Sequence, residues 1–67
     1  MAQDGSWLTP KEIREALGGK KAQEVLNDLV YEKRSRRELL DDVVSLTGCN
    51  EYSAEDFLRD LVKNPPQ

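Results

Sequence analysis

The stretch Ala22-Gln23-Glu24-Val25-Leu26-Asn27-Asp28-Leu29-Val30 decides the fold class. Its apolar residues Ala22, Val25, Leu26, Leu29 and Val30 recur at spacings of three and four, which gathers them on one side of a 3.6-residue helix. Gln23, Glu24, Asn27 and Asp28 fall on the opposite, wet side. A half-buried strand needs a period of two, and no segment of the chain shows that alternation convincingly. A helix over residues 20–33 is therefore expected, and its stripe needs other helices to cover it.

Those helices are signalled on both sides. Upstream, Thr9-Pro10-Lys11-Glu12 combines an N-cap residue, a proline at the first helical position and a glutamate at the third, the pattern of a capping box. Leu8 and Ile13 are spaced to staple across that cap. Ile13, Ala16 and Leu17 make the inner stripe of a helix over 10–18, and Gly18-Gly19 ends it. Downstream, Ser35 with Glu38 is a second capping box, opening a helix over 36–47 with Leu39, Leu40, Val43, Val44 and Thr47 inward and Gly48 as its stop. A last helix over 54–63 is expected from Ser53 as cap, with Asp56 at the third position and Tyr52 and Phe57 as a staple. Ala54, Phe57, Leu58, Leu61 and Val62 line its core face, and Asn64-Pro65-Pro66 stops it. Nothing in Tyr31-Glu32-Lys33-Arg34-Ser35 forbids one helix from 20 to 47, but a helix that long leaves its stripes without a compact partner, so a break is expected there. The expected architecture is all-α, a bundle of three to four short helices with no sheet.

With 67 residues the chain is one domain at most. A chain of this size buries roughly 60% of the surface its unfolded form exposes, so packing and capping must carry its stability. It has one cysteine, Cys49, and no histidine, which excludes an internal disulfide and a Cys/His zinc site. Cys49 reads as a small hydrophobe near a helix end. A lone free thiol fits a reducing compartment, so the expected location is intracellular, cytoplasmic or nuclear. No apolar run approaches the roughly 20 residues that span a bilayer. The opening Met1-Ala2-Gln3-Asp4-Gly5-Ser6 lacks a signal peptide's basic and apolar regions, and Gly5-Ser6 is a common cloning scar. Residues 1–6 are thus expected to be a flexible leader, 7–64 a single helical domain and 65–67 a tail, and the natural domain can be cut from a longer protein.

The net charge of -3 is unevenly spread: residues 1–37 carry eight Lys/Arg against six Asp/Glu, and residues 38–67 two against seven. The basic half suits nucleic acid or an acidic protein, and the acidic half repels phosphate. Catalysis is not expected. Cys49 has no base to activate it, and the pairs Asp41-Asp42 and Glu55-Asp56 are helix neighbours that point apart and read as solvated faces. Gly18-Gly19-Lys20-Lys21 lacks the spacing of a phosphate-binding loop and has no strand before it. No cofactor is implied.

Two resemblances bear on binding. Leu8 to Gly18, followed by Val25-x-x-x-Leu29, resembles the helix-turn-helix half of winged-helix regulators over residues 8–33. That resemblance implies that Lys20, Lys21, Gln23, Glu24 and Asn27 face a major groove and that Lys33, Arg34, Arg36 and Arg37 contact the backbone. Winged-helix folds also serve as protein-docking modules. Residues 22–63 are similar to ubiquitin-associated and CUE-type three-helix domains through Arg36-Arg37-Glu38-Leu39-Leu40, Leu46-Thr47-Gly48-Cys49-Asn50 and Ser53-Ala54-Glu55-Asp56-Phe57-Leu58. Where that family carries an apolar triplet such as Met-Gly-Phe, this chain reads Glu32-Lys33-Arg34.

The expected function is a non-catalytic helical module that binds another protein; the alternative is a helix-turn-helix DNA-binding domain of a transcriptional or replication regulator. Candidate contacts for nucleic acid or an acidic partner are Lys20, Lys21, Gln23, Asn27, Lys33, Arg34, Arg36 and Arg37. The basic run 33–37 has a plainer reading as a solvated face, with Arg34–Glu38 and Arg37–Asp41 as helix pairs. Trp7 and Tyr31 are candidate aromatic anchors, with Trp7 read either as a core plug or as an exposed anchor. Convergence of the cations on one face favours nucleic acid, whereas an exposed apolar patch with Trp7 or Tyr31 favours a protein.

Overall fold

The computed structural model describes residues 5–65 and contains four helices: α1 (Pro10–Leu17), α2 (Gly19–Val30), α3 (Arg36–Thr47) and α4 (Glu51–Lys63). Met1 to Asp4 of the expected leader, and Pro66 and Gln67 of the expected tail, lie outside the described residues. Both capping boxes form. The Glu12 amide donates to Thr9 Oγ1 at 3.2 Å while Glu12 Oε1 accepts from the Thr9 amide at 2.9 Å, and Ser35 and Glu38 repeat the exchange at 3.2 and 3.0 Å. Each box satisfies two amides that the first turn of a helix leaves orphaned.

The ends of α2 depart from the sequence reading. Gly18, at φ 89°, is both the C-cap of α1 and the N-cap of α2, so a single non-helical residue joins them and α2 begins at Gly19. At the other end α2 stops at Val30, three residues before the expected Lys33. The Lys33 amide donates to the Asp28 carbonyl and the Glu32 amide to that of Leu29, with Glu32 at φ 56°. This is a Schellman closure, with glutamate at the left-handed position that glycine usually holds. The break between α2 and α3 is therefore real.

The cap of α4 needs correction. Asn50, not Ser53, caps it: Asn50 Oδ1 accepts from the Ser53 amide at 2.7 Å, and the helix starts at Glu51 instead of residue 54. Tyr52 thus lies inside the first turn and cannot staple to Phe57. Ser53 is buried, and its hydroxyl oxygen accepts from the Leu8 amide at 3.1 Å. That bond anchors the segment 5–9, a strap laid across the α3–α4 connection. The Ser6 amide donates to the Gly48 carbonyl and the Asn50 amide to the Ser6 carbonyl, both at 2.9 Å, forming an isolated parallel bridge between Ser6 and Cys49. Gly5 and Ser6, within the expected leader, therefore pack against the α3–α4 connection.

All four helices touch one another around one core: Ile13 from α1, Ala22, Val25 and Leu26 from α2, Leu39, Leu40 and Val43 from α3, and Ala54, Phe57, Leu58 and Leu61 from α4. Cys49 packs with them from the connection, and Leu8, Leu17, Leu29 and Val44 close the margins. Ala16, Val30 and Val62, expected on inner stripes, are exposed instead. A helix packed on one side has room inward for only a narrow arc, and these residues lie at its edges or beyond. Arg14 ties α1 to the C-terminal end of α4, donating to the Asp60 carboxylate and to the carbonyls of Asp60 and Asn64. A cation at that end meets the partial negative charge of the unpaired carbonyls.

Candidate functional site

Neighbouring carboxylates absorb several of the candidate basic contacts. Lys21 Nζ lies 2.8 Å from Glu24 and 3.3 Å from Asp42, so it bridges α2 to α3. Arg34 reaches Asp28 at 3.0 Å and Asp42 at 3.4 Å, not the expected Glu38, whose carboxylate is occupied by its capping box. Arg37 pairs with Glu51 at 2.9 Å and, at 4.0 Å, with the expected Asp41. Asp42 is consequently half-buried between two cations, while Asp41 stays on the solvated face. Gln23 Nε2 donates to Asn27 Oδ1 at 3.1 Å along the exposed side of α2. Among the described residues Lys20, Lys33 and Arg36 are exposed and make no salt bridge. Lys33 and Arg36 border an open cleft of about 560 Å³ under the α2–α3 turn, but Glu32 and Glu38 share its rim, so its charge is mixed.

The clamp leaves an electrostatic mark. The hydrogen bond to Glu24 raises the Lys21 pKa, partial desolvation opposes it, and Asp42 adds to the rise. For Arg34 desolvation pulls downward, and the hydrogen bonds to Asp28 and Asp42 outweigh it, so its pKa is raised as well. A lysine whose folded pKa is raised contributes stability that is complete below its usual value of 10.5 and is lost as pH climbs through the folded value. Asp42→Asn removes the bridging carboxylate without changing side-chain size. It should lower stability by about 1 kcal/mol, since the pair is only partly shielded from water. Thermal melts on both sides of pH 10.5 should show a smaller alkaline loss in the variant than in the parent. Equal alkaline losses would show that Lys21 draws nothing from Asp42.

The aromatic residues are arranged differently. Trp7 is 74% exposed and Tyr52 67% exposed, yet their rings stack with centroids 5.8 Å apart and planes 9° from parallel. Trp7 is thus exposed and not a core plug. Both ends of the pair are held: Trp7 lies between Ser6, bonded to the α3–α4 connection, and Leu8, bonded to Ser53, while Tyr52 rides on the first turn of α4. The candidate site is a solvent-facing pair of stacked rings flanked by hydrogen-bonded backbone. Tyr31 is also exposed, at the C-cap of α2, but joins no ring pair among the described residues.

No protein-family model, curated protein or solved structure matches this chain.

Tyr52 is the residue that sequence reading missed. Its signal was present: a large aromatic out of register with the stripe Ala54, Phe57, Leu58 and Leu61 has no place in the core. No group of His, Cys, Asp or Glu among the described residues gathers as a metal site, and no helix there is long and apolar enough to cross a membrane.

Proposed function

We propose that this chain is a non-catalytic protein-docking module whose anchor is the stacked pair Trp7 and Tyr52. The observation that carries the reading is the exposure of two large stacked rings, one held between the hydrogen-bonded Ser6 and Leu8 and the other on the first turn of α4. Aromatic anchors dominate interface energies because they bury much area at little entropic cost, and a pre-ordered pair lowers that cost further. The dispersal of the cations favours a protein over nucleic acid: Lys21, Arg34 and Arg37 are tied to carboxylates, and phosphate contact would have to compete for them. The buried lone thiol of Cys49 supports an intracellular setting.

The test is affinity capture with the parent chain and with the double variant Trp7→Ala, Tyr52→Ala, followed by direct titration of whatever the parent retains. Loss of the pair should weaken that complex by roughly thirtyfold or more, the effect of truncating an interface anchor. Because both rings are exposed, the variant should melt within a few degrees of the parent. Retention of the same proteins by the double variant would remove the pair from the interface. An amide-resolved titration with a DNA duplex at low salt tests the alternative: shifts over residues 20–37 that fade with salt, with a salt slope lowered by Arg36→Ala and Arg37→Ala, would carry the helix-turn-helix reading instead.

A further inference from the structure

Resting on that docking role, we infer that the Trp7–Tyr52 pair receives an extended, arginine- or lysine-rich segment of the partner protein. Glu55 and Asp56 lie three and four residues beyond Tyr52 on α4, which puts both on the ring's side of the helix. Neither carboxylate makes a salt bridge among the described residues. The cation of α3 that reaches the first turn of α4, Arg37, is spent on Glu51. The ring pair therefore has two carboxylates within one helical turn that make no salt bridge, with the exposed Arg59 one turn further along the same face of α4.

Aromatic faces carry a negative quadrupole, so a guanidinium or ammonium laid over an open face is attracted there, most strongly at tryptophan. With the two rings stacked against each other, each has an outer side open to solvent. Glu55 and Asp56, on the side of α4 that carries Tyr52, would add an ion pair to the cation–π contact of a basic side chain laid on its ring. An amphipathic helix suits the patch less well, because it needs a groove for several anchors. The next exposed apolar residue on α4, Val62, is ten residues from Tyr52, about 15 Å along the helix. Phosphate is repelled by the same carboxylates. A second copy of the chain suits it less well, since Arg34 and Arg37 of the run 33–37 are internally paired and Lys33 and Arg36 share their cleft with Glu32 and Glu38.

Trp7 is the single tryptophan of the chain, so its fluorescence reads this site alone. The probes are an amidated Arg-Gly repeat peptide and a Glu-Gly repeat of the same length. The Arg-Gly peptide should give a saturable change that weakens several-fold as salt screens the carboxylates, and the Glu-Gly peptide none. Tyr52→Ala should weaken the midpoint about fivefold or more, and Asp56→Asn about two- to fivefold, both at an unchanged melting temperature. Silence toward Arg-Gly, an equal response to Glu-Gly, or indifference to Asp56→Asn overturns the inference. If the capture experiment still yields a partner that depends on Trp7, only the basic-segment assignment falls; if it yields none, the docking role falls with it.

Discussion

Phe57→Ala leaves this domain largely unfolded at room temperature. Phe57 is the largest fully buried side chain among the described residues, set mid-way along α4 in the one core to which all four helices contribute. Truncating a buried phenylalanine to alanine costs about 3–5 kcal/mol, from the lost transfer of the ring out of water and from the cavity left behind. A domain of this length has a total stability on the order of 3–10 kcal/mol at typical per-residue values, so the loss is comparable to everything the fold holds in reserve. No disulfide or internal metal cluster among the described residues offsets it. Helical circular dichroism and amide dispersion should collapse together, and Phe57→Leu, which retains most of the volume, should stay folded with a lowered melting temperature. A Phe57→Ala protein that melts near the parent would show that the core is not centred on α4.

The second large effect is expected where sequence reading placed an inert leader. A Cβ at Gly5 would fall inside the van der Waals envelope of the Cys49 carbonyl carbon and oxygen, which are backbone atoms and cannot swing aside. Gly5→Val should therefore lift the strap off the α3–α4 connection and forfeit the two bonds between Ser6 and that connection. Leaving such groups unmade costs roughly 1–3 kcal/mol, which corresponds to a population of strap-open molecules raised on the order of ten- to a hundredfold. The Asn50 amide, which donates to the Ser6 carbonyl, reports it directly: its hydrogen exchange should accelerate by that factor, while amides of the α4 interior change far less. Binding through Trp7 should weaken as well, because the ring loses one of its two backbone anchors. Unaltered exchange at Asn50 would mean that the strap contributes nothing at that position.

Local chemistry was legible where a single residue type answers a single need. Thr9 with Glu12 and Ser35 with Glu38 cap their helices as their spacing implies, and Gly48, at φ 75°, ends α3 in the left-handed conformation that glycine tolerates best. The end of α2 was illegible for the converse reason. Glu32 occupies a left-handed position at a cost of roughly 1–2 kcal/mol for an L-residue, and no local preference announces that. The closure is supported by contacts the chain makes only when folded, among them Arg34 reaching back to Asp28 and across to Asp42. Asn50 and Ser53 are both competent caps, and the choice between them turned on the Leu8 amide, 45 residues away, which claims the Ser53 hydroxyl.

By itself, then, the sequence determined the all-helical class, the two capping boxes and most of the core, because periodicity and capping act over three or four residues and need no distant partner. The tertiary structure decided which charges remain available and which aromatics face outward. Lys21, Arg34 and Arg37 lose their independence to carboxylates three to twenty-one residues away, and Trp7 meets Tyr52 across 45 positions of chain. The physical reason is range. A helical stripe is read along one helix, whereas an ion pair or a ring stack exists only once packing has brought separate segments within a few ångströms of each other.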